Sequence, residues 1–189
     1  MEVGVLLEEF KNYLEQQRKS KNTIGSYILH IKGYYNWYSE SFGSECSSLY
    51  RENILDYISY LRNIKKDSGK TINCKISALV KFNEFLIVSG VQQDQVISKK
   101  DNIKVQKSYA NPSNVTKQEV DSFRQQLLQD GHQDIYCIST LLAYAGLRIS
   151  EALNIQLTDF NLTVGELKVR GKGDKDRVVY LNDKIINSI

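Results

Sequence analysis

Two short stretches carry residue types that handle phosphate. Leu141 to Leu153 reads Leu-Leu-Ala-Tyr-Ala-Gly-Leu-Arg-Ile-Ser-Glu-Ala-Leu, an arginine within an otherwise apolar helical pattern. Arg148 follows Gly146 by two positions, and Glu151 stands three residues further on. A guanidinium on the inner side of an apolar helix needs an anion or a carboxylate partner. Arg148 offers a planar fork of donors to phosphate oxygens. It can equally pair with Glu151, because residues three apart share one helix face. The two readings are compatible, since Glu151 can fix the fork that grips the phosphate. Further along, Lys172 stands between Gly171 and Gly173 on a hairpin tip, where small neighbours let the ammonium reach forward. It is either a proton donor or phosphate ligand, or an exposed turn lysine. An arginine at a helix start and a lysine on a hairpin tip can grip one phosphate together.

A third feature is positive charge. Arg62, Lys65, Lys66, Lys70, Lys75 and Lys81 cluster around two expected helices, and Lys99, Lys100, Lys104 and Lys107 follow. Such groups bind a polyanion by releasing its counterions, or form an ordinary solvated face. The net charge of +3 is too small to decide between these, but its distribution is uneven. Residues 1–107 hold 16 Lys/Arg against 12 Asp/Glu, whereas residues 108–189 hold 9 against 10.

These side chains must be positioned by a mainly α-helical chain with a small β-hairpin. Val3, Leu6, Leu7, Phe10 and Leu14 recur at helical spacing and predict a helix over 3–19. Thr23 is the expected cap of a second helix, whose stripe is Ile24, Tyr27, Ile28, Ile31, Tyr35, Tyr38 and Phe42. Gly43 stops it. Ile54, Tyr57, Ile58 and Leu61 mark a third helix over 50–65. Asp67-Ser68-Gly69 is a turn, and Ile72 through Leu86 mark a fourth helix ending at Gly90. Four helices on short connections make a bundle. Periodicity is lost over 92–114, which holds the only proline, Pro112, and reads as a linker. Thr116-Lys-Gln-Glu119 is a capping box opening a helix to 129. Another helix covers 133–145, and Arg148 starts a turn or helix to 155. Leu167-Lys-Val-Arg and Arg177-Val-Val-Tyr-Leu are strand-like. Residues 183–189 begin a further helix.

Other chemistry finds little support. Cys46, Cys74 and Cys137 are odd in number and far apart, so reduced, mostly buried thiols are expected and neither a disulfide framework nor a zinc site. His30 and His132 belong to no metal or triad pattern. Most of the twelve tyrosines fit helix stripes and read as core. No apolar run approaches the roughly 18 residues that span a bilayer, and the acidic N-terminus is unlike a signal peptide. A cytoplasmic protein is expected.

Ala145-Gly-Leu-Arg148-Ile-Ser-Glu151-Ala-Leu, followed by Leu157-Thr-Asp159-Phe, resembles the first arginine box of tyrosine recombinases. Gly171-Lys172-Gly-Asp-Lys-Asp-Arg177-Val-Val resembles their lysine-bearing β-hairpin, and Thr71-Ile-Asn-Cys-Lys-Ile-Ser-Ala-Leu-Val-Lys-Phe is similar to the end of their core-binding domain. Asn22-Thr23 with Tyr27 resembles an earlier helix of that domain. The resemblance implies a helical core-binding domain over 1–95, a basic linker over 96–114 and a truncated α/β catalytic domain over 115–189. It implies a clamp on double-stranded DNA with inverted-repeat core sites, working as a dimer or tetramer synapse. The reaction it implies is phosphoryl transfer to a tyrosine and then to a 5′-hydroxyl, with no metal and no cofactor. Arg148 would stabilise charge on the phosphorane-like transition state. Lys172 would protonate the leaving 5′-oxygen. Glu151 would support Arg148 from behind, and the ten basic residues named above would contact DNA. The family's His-x-x-Arg box and nucleophilic tyrosine have no match here, so the chain resembles the N-terminal two-thirds of a recombinase. A Xer-like enzyme, an integrase and a transposon-encoded resolvase all fit. The alternative is a non-catalytic DNA-binding module derived from a recombinase.

Overall fold

Helix α4 (Gly69–Val88) is the axis of the first half of the molecule, with Ile72, Ile76, Leu79, Phe82, Phe85 and Leu86 buried along it. Ser68 starts it by accepting the Thr71 amide at 3.1 Å, which satisfies one of the orphan amides of the first turn. Around it pack α1 (Val3–Gln16), α2 (Lys21–Phe42) and α3 (Arg51–Asn63). The computed structural model describes residues 3–44, 48–105, 114–171 and 175–188. Cys46, Lys107, Pro112 and Lys172 lie outside these. The chain divides into two units, Met1–Ser108 and Tyr109–Ile189.

The core of the first unit is largely aromatic. Phe10 meets Phe82 edge-on at 5.0 Å, and Tyr34 meets Tyr57 edge-on at 5.2 Å. Such pairs add to the free energy of area burial. Helix α2 begins earlier than expected. Ser20 is its cap and accepts the Thr23 amide at 3.2 Å, so Thr23 is already a first-turn residue. Its buried face is also rotated from the expected stripe. Tyr34 and Trp37 are buried, whereas Phe42 is 48% exposed. A count in steps of three and four passes over Tyr34 and Trp37, and packing of both rings against Tyr57 takes them inward.

The stretch expected to be a linker from residue 92 onward differs from that expectation over its first part. Ile97 is buried in the core of the first unit. The fully buried Asn83 side chain accepts the Val96 amide at 2.8 Å and donates to the Asp94 carbonyl at 3.2 Å. Asn73 accepts the Ile103 amide at 2.8 Å and donates to the Ile103 carbonyl at 2.9 Å. Asp101, capping the 3-10 turn Lys99–Asp101, receives Arg51 at 2.6 Å. Two asparagines thus do for an irregular strap what a neighbouring strand would do. Asn83→Ala takes the side-chain partner from the Val96 amide and the Asp94 carbonyl and empties a fully buried position. It is expected to destabilise the first unit by about 1–3 kcal/mol. Urea denaturation reads this, and a loss below about 0.5 kcal/mol, the level of an ordinary surface change, would show that the asparagine does not pin the strap.

In the second unit, α5 (Lys117–Gln129) opens with the expected box. The Glu119 amide donates to Thr116 Oγ1 at 3.2 Å, and the Thr116 amide donates to Glu119 Oε2 at 2.7 Å. Helix α6 (Gln133–Ala145) ends at Gly146, whose φ of 61° is the left-handed conformation that glycine adopts at low cost. The short α7 (Ile149–Ala152) follows. Among the described residues the sheet has three antiparallel strands in the order β1 (Phe160–Asn161), β2 (Glu166–Arg170), β3 (Asp176–Tyr180). The sequence predicts only β2 and β3, because the two residues of β1 are too few to show alternation. The last helix is α8 (Asp183–Ile186). Leu141, Leu147, Ala152, Leu167, Val169 and Ile185 form the core of this unit. Among the described residues no helix is long and apolar enough to cross a membrane.

Candidate active site

Arg148 does not sit inside a helix. Gly146 ends α6, Leu147 turns into the core, and Arg148 becomes the residue that precedes α7 in extended conformation. Its side chain is 74% exposed, which corrects the expectation of an inward guanidinium. The buried partner is instead the carboxylate, for the Glu151 side chain is only 4% exposed. Glu151 Oε2 accepts the Arg148 backbone amide at 2.9 Å, and Oε1 accepts Arg148 Nη1 at 2.9 Å. Arg148 is thereby tethered at its root and at one corner of its fork, while most of the guanidinium faces solvent.

A second arginine completes the arrangement. Arg177 on β3 donates from Nη1 to Glu151 Oε1 and from Nη2 to Oε2, both at 2.9 Å. This two-pronged pairing and the bonds from Arg148 hold the Glu151 carboxyl at about 2, well below the usual carboxylate range. Gly171, just after β2, lies against the same group. A Cβ there would stand 3.7 Å from both Arg177 Nη1 and Glu151 Oε1, and 3.1 Å from the Lys175 carbonyl oxygen. Beside it is a polar cleft lined by Glu151, Gln156, Asp159, Lys168, Arg170 and Asp176. Lys172, expected at this site, lies outside the described residues.

The basic residues divide into two groups. Arg62, Lys65, Lys66, Lys70, Lys99, Lys100 and Lys104 are exposed. Lys65 stands over the Tyr60 ring at 6.0 Å. Lys75 and Lys81 are partly buried and already paired, with Asp67 and Glu84 respectively, each at 2.6 Å. Lys81 and Lys99 line one groove of the first unit together with Lys19, which charge clustering alone does not single out.

Comparison with known proteins fits this arrangement. Residues 6–87 match the phage integrase N-terminal SAM-like domain, and residues 113–189 match the phage integrase family. A TnP I resolvase from Bacillus thuringiensis is 50% identical over 183 residues, 96% of this chain and 64% of the relative. The chain belongs to the phage integrase family of tyrosine recombinases. A tyrosine recombinase XerA from Pyrococcus furiosus is 32% identical over 185 residues, 97% of this chain and 59% of the relative. The chain thus spans about three-fifths of the length of these curated relatives. Among solved structures, a lambda integrase(75-356) dimer bound to a COC′ core site has the same fold. Its TM-score is 0.68 at 14% identity, covering 100% of this chain and 68% of that one. A XerH site-specific recombinase bound to a palindromic difH substrate gives 0.63 at 21% identity, covering 87% of this chain and 50% of that one.

Among the described residues the buried arginine is Arg124, a residue that no sequence pattern above marks out. Its guanidinium lies 4.8 Å from the Tyr136 ring and 4.9 Å from the Tyr144 ring, and Nε donates to Thr140 Oγ1 at 2.9 Å. Tyr144 donates to Asp121, and Lys184 of α8 donates to the Tyr144 hydroxyl at 2.9 Å. This network ties α8 to α5 and α6. The repeat of Tyr136, Thr140 and Tyr144 in steps of four is its visible signal, a polar stripe that calls for a partner. The cysteines differ from the expected burial, with Cys74 exposed and Cys137 partly so.

Proposed function

We propose that this chain carries part of the active site of a tyrosine-type site-specific recombinase acting on duplex DNA, in the role of a transposon-encoded resolvase. The observation that carries the reading is Arg148, exposed ahead of α7 and held by a buried carboxylate. A guanidinium oriented before the substrate arrives stabilises developing charge without reorganising at the moment of reaction. The 50% identity to a TnP I resolvase supports the resolvase role over a Xer-like or integrase role.

In the proposed reaction a tyrosine oxygen attacks the scissile phosphorus while the bond to the 5′-oxygen breaks. Arg148 donates to the non-bridging oxygens as negative charge builds on them. Lys172 gives its proton to the departing 5′-oxygen. The energy of the ester is kept in the phosphotyrosine, and a 5′-hydroxyl of another strand later reverses the step. The nucleophile is assigned to sequence outside these 189 residues, where the relatives are longer. The DNA-bound dimer of the lambda integrase relative supports duplex DNA as substrate and assembly of copies on it.

Gel-shift titration on the terminal repeats of the host element, at several salt concentrations, tests binding. The slope of log K against log salt is expected to be negative. It should flatten by about 0.9 for each phosphate interaction removed when Lys65, Lys66, Lys70, Lys99, Lys100 and Lys104 are neutralised. Lys75→Ala and Lys81→Ala should flatten it less, since Asp67 and Glu84 already offset those charges. An unchanged slope in the multiple variant would take this face out of the DNA interface. A full-length protein that forms no covalent adduct with such DNA would sink the catalytic reading.

A further inference from the structure

We propose that Arg177 is a positioning residue for the cleavage step, setting the Arg148 guanidinium by holding the opposite side of the Glu151 carboxylate. This rests on the reading of Arg148 as the phosphate-gripping group. The placement follows from strand geometry. Side chains alternate along a strand, and cross-strand partners share a face. Arg177 pairs with Val169, and Val179 with Leu167, both partners being buried. Arg177 is therefore the one charged residue of β3 on the side that faces the core. A charge at such a position needs a partner, and Glu151 of α7 supplies it.

The bond pattern gives this pair a role beyond fastening β3. An ionised carboxylate has about four acceptor sites. Glu151 fills them with two donors from Arg148 and two from Arg177, each oxygen taking one from either side. With Arg177 present, the carboxylate cannot turn, and Nη1 of Arg148 has a fixed anchor. With Arg177 removed, only the bonds from Arg148 itself remain. They join Glu151 only to the residue just ahead of its own short helix, three positions away, and leave the carboxylate free to rotate. Charge acts in the same direction. One carboxylate between two guanidiniums leaves a net positive charge for the phosphate, whereas one carboxylate facing Arg148 alone cancels it. The low carboxyl value at Glu151, with Arg177 as its first cause, agrees with this division. It keeps the anchor ionised at every pH above about 2, and the anchor weakens only as pH falls through that value.

The test uses full-length protein and a nicked duplex substrate on which the covalent adduct accumulates. Arg177→Ala is expected to lower the cleavage rate at saturating DNA by about 10- to 100-fold, the scale of a misplaced catalytic group, with the DNA Kd nearly unchanged. Arg177→Lys keeps the charge without the fork and should fall between. It also serves if the alanine variant does not fold. In protein labelled with 13C-carboxyl glutamate, the Glu151 titration midpoint should rise from about 2 towards the ordinary range in either variant. Glu151→Gln combined with Arg177→Ala should lose little more than the worse single change, because both act along one path. Wild-type-like cleavage, an unmoved midpoint, or losses that multiply would each overturn the proposal while leaving the recombinase reading intact. A wild-type protein that never forms an adduct would instead overturn the recombinase reading itself.

Discussion

Arg148→Ala in the full-length protein is expected to slow DNA cleavage by about 10²–10³ while leaving site binding largely intact. The exposure of Arg148 makes this separable from folding. With 74% of the side chain in solvent, its removal opens no cavity, and Glu151 keeps both bonds from Arg177. The rate falls because charge grows on the non-bridging oxygens only in the transition state. A donor matched to that charge therefore affects rate more than affinity. Arg148→Lys should recover little, since an ammonium cannot present two parallel donors. The measurement is adduct formation under single-turnover conditions beside a gel-shift Kd, with circular dichroism to confirm the fold. Cleavage at the wild-type rate would reduce Arg148 to the ion-pair partner of Glu151.

How much of this arrangement is legible in the sequence depends on the range of the interaction. Local signals hold well. The Thr116 and Glu119 box stands as expected, because both partners of its two bonds lie within one turn. The span of α6 and its stop at Gly146 are legible because a left-handed residue is written into the sequence as glycine. Pairings across the fold are not legible in the same way. Nothing near Asn83 announces that its amide will hold Val96, thirteen positions on, so the strap reads as a linker. The apolar pattern around Arg148 points its guanidinium to the inner side of a helix. Arg148 instead precedes α7 in extended conformation, and the burial falls on Glu151. Arg177 is within reach, since alternation in Arg177-Val-Val-Tyr-Leu puts it level with Val179 and opposite the face of Tyr180. Which of the two faces is covered depends on β2 and on α7, and that is not written in the strand itself.

The same contrast explains why the candidate site is stiff around Glu151. Glu151 sits on a helix of four residues, far too short to be stable by itself, and Arg148 stands just ahead of it. Leu147 just ahead of it and Ala152 at its end are buried in the core and hold the helix in place, and Arg177 on the sheet holds it from the side. A loop-borne arginine is thus positioned by rigid elements, as a pre-organised phosphate grip requires.

Lys172→Ala is expected to reduce cleavage of an ordinary phosphodiester by about 10²–10⁴, the usual contribution of a general acid, and to be rescued by a chemical change in the DNA. The leaving group decides this. A 5′-oxygen leaves as an alkoxide unless a proton reaches it, and alkoxides are strongly basic. A 5′-bridging sulfur leaves as a thiolate, whose conjugate acid has a pKa of about 8.5, so it departs near neutral pH without a donor. The sulfur substrate should therefore restore the Lys172 variant towards the wild-type rate. It should do nothing for Arg148→Ala, whose missing donors serve the non-bridging oxygens and not the leaving atom. Arg177→Ala should resemble Arg148→Ala in this assay, because its effect is routed through Glu151 to the same guanidinium. Rescue of all three variants alike, or of none, would mean that Lys172 is not the proton donor. Rescue of Arg177→Ala with Lys172→Ala would move Arg177 from the arginine to the lysine side of the reaction.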